Sequence, residues 1–174
     1  MTAGSVARPS SWLAGALAAM LPPPLPTLAG ALLWGVAMGA GAIFALVLEN
    51  WENPDNIRIV AAFFAAGGFV AFPFAIALAR FLSFRRSPEA AFAAAFLSIG
   101  LATACATAAI YALDYRAYYA EWHADTLTRT WILQFVHTGA VAAYQFAVLG
   151  LRLYFPFGFV ALLVASFWFM RLAR

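Results

Sequence analysis

Long apolar stretches alternate with short polar segments along the chain. Four stretches, at about 27–48, 57–82, 89–113 and 130–151, match the roughly 20 apolar residues that a helix needs to cross a bilayer. A fifth stretch, at 155–170, is shorter. The pattern predicts an all-α integral membrane protein: a compact bundle of four transmembrane helices plus a short C-terminal hydrophobic helix, which is either a fifth span or a re-entrant segment.

The fourth stretch carries polar side chains along one side. At about 100° per residue, Gln134, Thr138, Gln145 and Arg152 fall on one narrow line, and His137 lies beside it. Polar groups that face lipid find no hydrogen-bond partners, so we expect this intramembrane stripe to face other helices. The remaining segments are therefore predicted to pack around it.

Residues 1–26 precede the first span. Arg8 and the apolar run at 12–21 imitate a secretory signal peptide. A cluster of prolines follows at 22–26, and no small-residue cleavage site precedes the next span. We predict an uncleaved tail with a short interfacial helix and a stiff Pro-rich connector, followed by a single transmembrane domain over 27–174.

Small residues recur four apart on the first and third spans. This spacing lets helix backbones approach closely in lipid, where packing drives association. On the first span, packing against the protein's own helices is favoured over a dimerisation face. Ser98, Thr103 and Thr107 are expected to hydrogen bond to carbonyls of their own helix. The candidate helix-packing residues are Ala31, Gly35, Gly39, Gly41, Ser98 and Ala102.

Composition places the chain in a membrane. It is 66% hydrophobic and 10% charged, whereas soluble domains carry about 25% charged residues. All ten basic residues are arginines, and they lie at segment ends, where the positive-inside rule accounts for them. Nucleic-acid binding is therefore not expected. The Ala-, Gly- and Arg-rich composition favours a bacterial protein, and hence the inner membrane.

Loop charge predicts the orientation. Arg8 and the arginine cluster at 80–86 belong in the cytoplasm, which also places the amino terminus there. The last segment leaves two alternatives. A fifth crossing would carry Arg171 and Arg174 outside, against the rule, whereas a re-entrant helix would keep them inside.

Acidic residues cluster in the two loops that are predicted to lie outside. Asp114, Glu121 and Asp125 fall close to one line if the third helix continues into the interface. This outer acidic face could admit a cation or a proton, although a hydrated helix face is the simpler interpretation. The loop at 49–56 matches no cation-binding geometry, so no metal site is predicted.

Few side chains could carry chemistry. His137 is the one ionisable side chain predicted near mid-membrane. A haem would need a second axial ligand, and His123 is predicted outside the bilayer, so no cofactor is expected. The GxSxG and HExxH motifs are absent, and no catalytic residue is assigned. Cys105 is expected to be a small buried hydrophobe.

Three functional hypotheses follow. The favoured one is a non-enzymatic accessory or assembly component that packs through small-residue helix faces with other membrane proteins or with copies of itself. The alternative is a small transporter or permeation protein that uses Gln134, His137 and Gln145, with Pro73 and the break at 156–158 interrupting its helices. The third, a membrane enzyme acting on a lipid through His137 or the outer acids, is disfavoured.

Overall fold

The computed structural model describes residues 10–172, of which 88% are helical. It confirms the predicted all-α bundle; Arg8, Arg174 and the rest of the two termini lie outside the described residues. The six α-helices are α1 (Ser10–Met20), α2 (Pro24–Leu48), α3 (Pro54–Ser83), α4 (Pro88–Tyr119), α5 (Arg129–Gln145) and α6 (Phe157–Leu172).

Four helical segments are long and apolar enough to cross a membrane, which identifies a multi-pass membrane protein. They are Pro24–Leu48, Pro54–Ser83, Pro88–Trp122 and Arg129–Tyr154, and α6 is shorter at 16 residues. The third segment adds a 3-10 turn to α4, and the fourth adds a π turn and a 3-10 turn to α5.

Proline and capping residues set the helix starts. Each of α2, α3 and α4 has Pro in its first turn, where the missing N–H costs no helical hydrogen bond. For this reason α2 begins at Pro24, earlier than the predicted span. Asn53, Ser87 and Thr128 cap α3, α4 and α5 by accepting first-turn amides at 3.0, 3.4 and 3.1 Å.

Glycines bring α2, α3 and α4 into close antiparallel contact. A Cβ built on Gly35 would lie 2.8 Å from the carbonyl oxygen of Ala65, and one on Gly39 would lie 3.0 Å from the Cβ of Ala65. A Cβ on Gly67 would lie 2.7 Å from the Cα of Thr107. The small-residue face of the first span is therefore occupied by the protein's own α3.

The other candidate packing residues lie in the same interior. Ala31, Gly41 and Ser98 are buried, and Ala102 is half-buried. A Cβ on Gly41 would meet the Cβ of Phe157, in α6, at 3.7 Å. Within the described part of the chain, the Oγ of Ser98 is buried without a hydrogen-bond partner.

Buried hydroxyls connect helices. Trp34 Nε1 donates to Thr103 Oγ1 at 2.9 Å, which ties α2 to α4. The Tyr154 hydroxyl donates to Thr107 Oγ1 at 2.8 Å. The sequence predicted that both threonines bond to carbonyls of their own helix. The structure shows them accepting from other elements, because each is buried where a neighbouring aromatic donor arrives.

The last helix packs between α2 and α4 and runs antiparallel to α4. Leu162 Cδ2 lies 3.2 Å from a Cβ built on Gly100, and the rings of Phe167 and Phe92 are 4.7 Å apart. Later residues of α6 thus meet earlier residues of α4. It follows that the last turn of α6, which contains Arg171, lies beside the start of α4.

The start of the chain packs at this same end of the bundle. Arg80 Nε donates to the carbonyl oxygen of Ala19 at 2.6 Å, and the Trp12 ring packs against Phe84 at 6.4 Å. The short helix predicted near the amino terminus is thus α1. We call this the arginine end of the bundle; its arginines are Arg80, Arg85, Arg86 and Arg171, accompanied by Glu89.

The opposite end is richer in acids. There α2 ends, α3 begins and α4 ends. The acidic residues at this end are Glu49, Glu52, Asp55, Asp114, Glu121 and Asp125, and the arginines are Arg58, Arg116, Arg129 and Arg152. We call it the acidic end. The start of α5 also lies here, because the Arg116 guanidinium stacks 4.1 Å from the ring centroid of Phe135.

The segment after α5 moves sideways instead of along the bundle. The Phe64 ring of α3 lies 6.2 Å from Phe146 and 4.7 Å from Tyr154. Eight residues of continuous helix would separate those two positions by about 12 Å along the axis. Residues 146–156, which we call the break, contact α4 through the π turn and α2 through the 3-10 turn, so they carry the chain across from α4 to α2.

Both ends of the long fourth apolar segment consequently stay in one half of the bundle. Arg152 Nη2 lies 3.0 Å from Glu49 Oε2, just beyond the end of α2. A helix running from the acidic end to the arginine end would place Arg152 about 30 Å away, given the 1.5 Å rise per residue. Only α6 continues to the arginine end.

Candidate functional site

The break combines irregular backbone with polar side chains. It consists of a π turn at Phe146–Gly150, a 3-10 turn at Leu151–Tyr154, and Phe155 and Pro156. Single π turns inside helices frequently occur at functional sites. Irregular backbone at membrane depth requires protein contacts or water around it. The break is therefore the first place to look for a site.

Buried anchors hold the break in position. Phe146 and Leu153 are buried, and Gly150 packs closely on Phe146, where a Cβ would lie 2.8 Å from Cε2. A larger side chain at Gly150 would displace that ring. The sequence thus combines two large anchors with one small residue, which lets the chain turn sideways over α3.

A cavity of about 160 Å³ lies between the break, α3, α4 and the end of α2. We call it the outer cavity, because Trp51 and Arg152, both exposed at the acidic end, form part of its wall. Most of its lining is apolar, and Thr107 lies at its wall. The lining residues are Leu46, Trp51, Val60, Phe63, Phe64, Thr107, Tyr111, Gln145, Phe146, Leu149, Gly150, Arg152 and Leu153.

Two hydrogen-bonded pairs provide the polar part of this cavity. The Tyr111 hydroxyl donates to Gln145 Oε1 at 2.7 Å, which ties α4 to the end of α5. Arg152 donates from Nη2 to Glu49 at 3.0 Å and from Nε to the carbonyl oxygen of Leu149 at 3.2 Å. Arg152 is a five-donor fork, so further N–H groups stay available.

A second cavity, of about 240 Å³, lies on the other side of the break, and we call it the inner cavity. Tyr154 lines the inner cavity and Thr107 lines the outer one, so their 2.8 Å hydrogen bond stands between the two. The lining residues are Trp34, Met38, Gly100, Thr103, Ala104, Leu151, Tyr154, Phe155, Gly158, Phe159 and Leu162.

The first half of the predicted stripe supports the connection between α4 and α5. Gln134 Oε1 accepts from the amide of Ala124 at 2.9 Å. Thr138 Oγ1 donates to the Gln134 carbonyl at 2.6 Å and lies 3.3 Å from His123 Nε2. These side chains face α4 and its connection. They lie away from both cavities, whereas Gln145 and Arg152 line the outer one.

His137 lies apart from the rest of the stripe. It is exposed on the outer side of α5 and lines neither cavity. It lies between Phe135, which contacts Arg116, and Thr138, which contacts His123. Because α5 runs obliquely from the acidic end, His137 lies close to the contacts that attach α5 there; its depth in the membrane stays a prediction.

The outer acids do not share a helix face. Asp114 is on α4, but α4 ends at Tyr119, so Glu121 falls in a 3-10 turn and Asp125 in the following loop. All three are exposed, and no group of three His, Cys, Asp or Glu that could hold a metal occurs within residues 10–172. Cys105 was predicted to be buried and is exposed on α4.

Several contributors to the site were not identified from the sequence. Tyr111 was assigned to the aromatic interface and Glu49 to a hydrated loop, and nothing in the pattern indicated their cavity-side partners. Gly139, Ala143 and Ala147 are spaced four apart from α5 into the π turn, and this small-residue spacing indicates a further helix-packing face.

No family model, curated protein or solved structure matches the chain.

Proposed function

We propose that the protein is a non-enzymatic accessory or assembly component that docks a helix of a different membrane protein on the outer side of α5. The supporting observation is the lack of cover on this segment. Of its most apolar 18 residues, 11% are buried within the chain, compared with 50% for α2 and 33% for α3 and for α4. The segment has room for a neighbour that the chain itself does not supply.

The residue types on that outer side favour a helix over lipid as the neighbour. In α2, α3 and α4, most buried positions are Ala or Gly, and many large aliphatic residues face outward. On α5 the exposed positions include Ala140, Ala143 and Ala147, and Gly139 has open space around it. Small residues at this spacing are typical of close helix contacts in membranes.

The polar side chains of the bundle support a structural rather than a catalytic role. They are engaged in pairs with one another: Trp34 with Thr103, Tyr154 with Thr107, Tyr111 with Gln145 and Arg152 with Glu49. Catalysis by general acids and bases requires a positioned group that is available to exchange a proton with the substrate. These side chains are used instead to hold helices together.

The same geometry supports a topology. We place the protein in a bacterial inner membrane with four crossings: α2, α3, α4, and α5 with the break and α6 as one interrupted crossing. The arginine end faces the cytoplasm by the positive-inside rule, together with the amino terminus. Arg171 then lies inside and Arg152 outside, which removes the conflict between hydropathy and charge at the last segment.

The docking proposal is tested by recovering the partner. The chain is tagged at its amino terminus, extracted in mild detergent and analysed for a protein bound at fixed stoichiometry. Ala143→Leu should lower that recovery, because the larger side chain keeps a docked helix from approaching closely. It should leave the thermal stability unchanged, because Ala143 is exposed. Ala66→Leu, the same change on the exposed side of α3, is the control. Recovery of a homo-oligomer without a second protein would contradict the accessory role.

A small transporter is the second candidate, and the break favours it. Interrupted helices with cavities on either side are typical of transport sites. Since His137 lines neither cavity, Gln145, at the wall of the outer cavity, is the stripe residue to test. A flux that Gln145→Ala abolishes and His137→Ala leaves intact would favour transport over the accessory role.

A further inference from the structure

The outer cavity has the size and lining of a site for one hydrocarbon chain. Its volume of about 160 Å³ is close to that of engineered apolar cavities, about 150 Å³, which stay dry and take up benzene. Its deep wall consists of Val60, Phe63, Phe64, Phe146 and Leu153. Two chains side by side would not fit in this volume, whereas one segment of an acyl chain would.

The polar groups of the cavity lie at its mouth and along the wall opposite α3. Arg152 and Trp51 are exposed at the mouth, at the acidic end. The polar ends of Tyr111 and Gln145 lie about two helical turns from the end of α4. A molecule that fills the site is therefore apolar where it meets α3 and polar where it meets Arg152 and Gln145, which describes an amphiphile.

The hydrogen-bonding groups that Arg152 and Gln145 leave unused are donors. Arg152 donates from Nε and Nη2, which leaves three of the five guanidinium N–H groups available. Gln145 accepts through Oε1, which leaves its amide N–H groups as donors. The charge of Arg152 is partly balanced by Glu49. Donors around a guanidinium are the groups that recognise an oxyanion.

We propose that the outer cavity binds a single-chain amphiphile with an oxyanion head group, either a carboxylate or a phosphate. The chain lies against Phe64 and Phe146, and the head group accepts from Arg152 and the amide of Gln145. Glu49 competes with the ligand for Arg152. This site is independent of the docking face of α5, which lies on the other side of that helix.

The competition between Glu49 and the ligand gives the proposal a specific signature. Arg152→Gln removes charge-assisted donors and should weaken binding by about tenfold, the equivalent of one hydrogen bond to a charged group. Glu49→Gln removes the competing acceptor and should strengthen binding. A pair with a structural role alone would lose binding in both variants, so opposite signs distinguish the two roles.

Trp51 supplies the optical probe, because it lines the cavity. The full chain is reconstituted in non-brominated phosphatidylcholine nanodiscs and titrated with 9,10-dibromostearic acid, whose bromines quench nearby tryptophan. The quenched component that Trp51→Phe removes is the signal. Val60→Phe should fill the cavity and raise the midpoint by about tenfold or more. Ile59→Phe adds the same ring to the exposed side of α3 and should leave the midpoint unchanged.

We expect saturable quenching of Trp51 that Val60→Phe suppresses and Ile59→Phe preserves. We also expect Arg152→Gln to weaken binding and Glu49→Gln to strengthen it. Quenching that never saturates and is equal in the two phenylalanine variants would overturn the proposal, because it reports lipid around the protein. In a parallel arm, brominated two-chain phosphatidylcholine replaces the fatty acid. Saturable, Val60→Phe-sensitive quenching in that arm would overturn the single-chain assignment.

Discussion

The core of α2, α3 and α4 and the interrupted segment from α5 to α6 are built from similar residues but packed differently. In the core, backbones approach closely enough that a Cβ on Gly67 would lie 2.7 Å from Thr107 Cα. In α5, a Cβ on Gly139 would meet nothing within 4 Å. Small residues thus serve two purposes in one chain: they close the core, and they leave the outside of α5 open.

The two regions also use polar groups differently. In the core, Trp34 and Thr103 form a buried bond that ties two continuous helices. In the interrupted segment, Tyr111, Gln145, Arg152 and Glu49 hold a stretch whose backbone is irregular. Polar contacts therefore reinforce an interface between continuous helices in one region, and supplement the buried anchors Phe146 and Leu153 of an irregular segment in the other.

The largest expected effect comes from filling the closest contact in the core. Gly67→Ala should lower the free energy of unfolding by about 2–3 kcal/mol, because the new Cβ would collide with the backbone of α4. Gly139→Ala is the matched control and should be neutral or slightly stabilising, because Ala favours helices. Reversible unfolding in mixed micelles measures both. Equal losses in the two variants would contradict the difference in packing.

A smaller loss is expected where the break is tied to the core. Tyr154→Phe removes the donor to the buried Thr107 hydroxyl and should cost about 1 kcal/mol. Tyr144→Phe is the control, because Tyr144 is exposed on α5 and forms no hydrogen bond with the residues that the structure describes. The same unfolding assay applies. If Tyr144→Phe cost as much as Tyr154→Phe, the hydrogen bond across the break would not be the cause.

The attachment of the start of α5 should depend on Arg116. Its guanidinium lies 4.1 Å from the Phe135 ring centroid and 5.4 Å from that of Trp131. Arg116→Gln should weaken this attachment by about 0.5–1 kcal/mol, which hydrogen exchange of the α5 amides would detect as faster exchange. Arg129→Gln, at the exposed first residue of α5, is the control. Unchanged exchange in Arg116→Gln would show that α5 is held elsewhere.

The smallest effect is expected at the Arg152–Glu49 ion pair. The side chains are 52% and 31% exposed, so water screens their attraction. A double-mutant cycle with Arg152→Gln and Glu49→Gln should give a coupling of about 0.5 kcal/mol. A coupling of several kcal/mol would mean that this pair, and not the packing of Phe146 and Leu153, positions the break.

Hydropathy was sufficient to predict the helical class and the approximate bounds of the helices, because each apolar stretch has to satisfy its backbone within a helix. It was also sufficient to predict that Gln134, Thr138 and Gln145 face inward. The sideways course of the break could not be predicted from the local sequence around Phe146 and Tyr154. It depends on both rings meeting Phe64, which is more than 80 residues earlier in the chain.

The candidate site was predicted only in part for a related reason. Helical periodicity places residues around one axis but says nothing about how far that helix descends into the bundle. His137 was therefore predicted near mid-membrane, whereas its place close to the contacts that attach α5 depends on the oblique course of that helix. Likewise, Glu49 was predicted only as part of a hydrated acidic loop, and its ion pair with Arg152 at 3.0 Å depends on the fold.

The most direct test of the interrupted crossing is the side of the membrane on which Arg152 lies. Single-cysteine variants Arg152→Cys and Arg171→Cys, each with Cys105→Ala, are treated in intact spheroplasts with a membrane-impermeant maleimide. We expect labelling of Arg152→Cys from the outside, and of Arg171→Cys only after the membrane is opened. Labelling of Arg152→Cys only after opening would show that α5 crosses the membrane by itself, and would contradict the account.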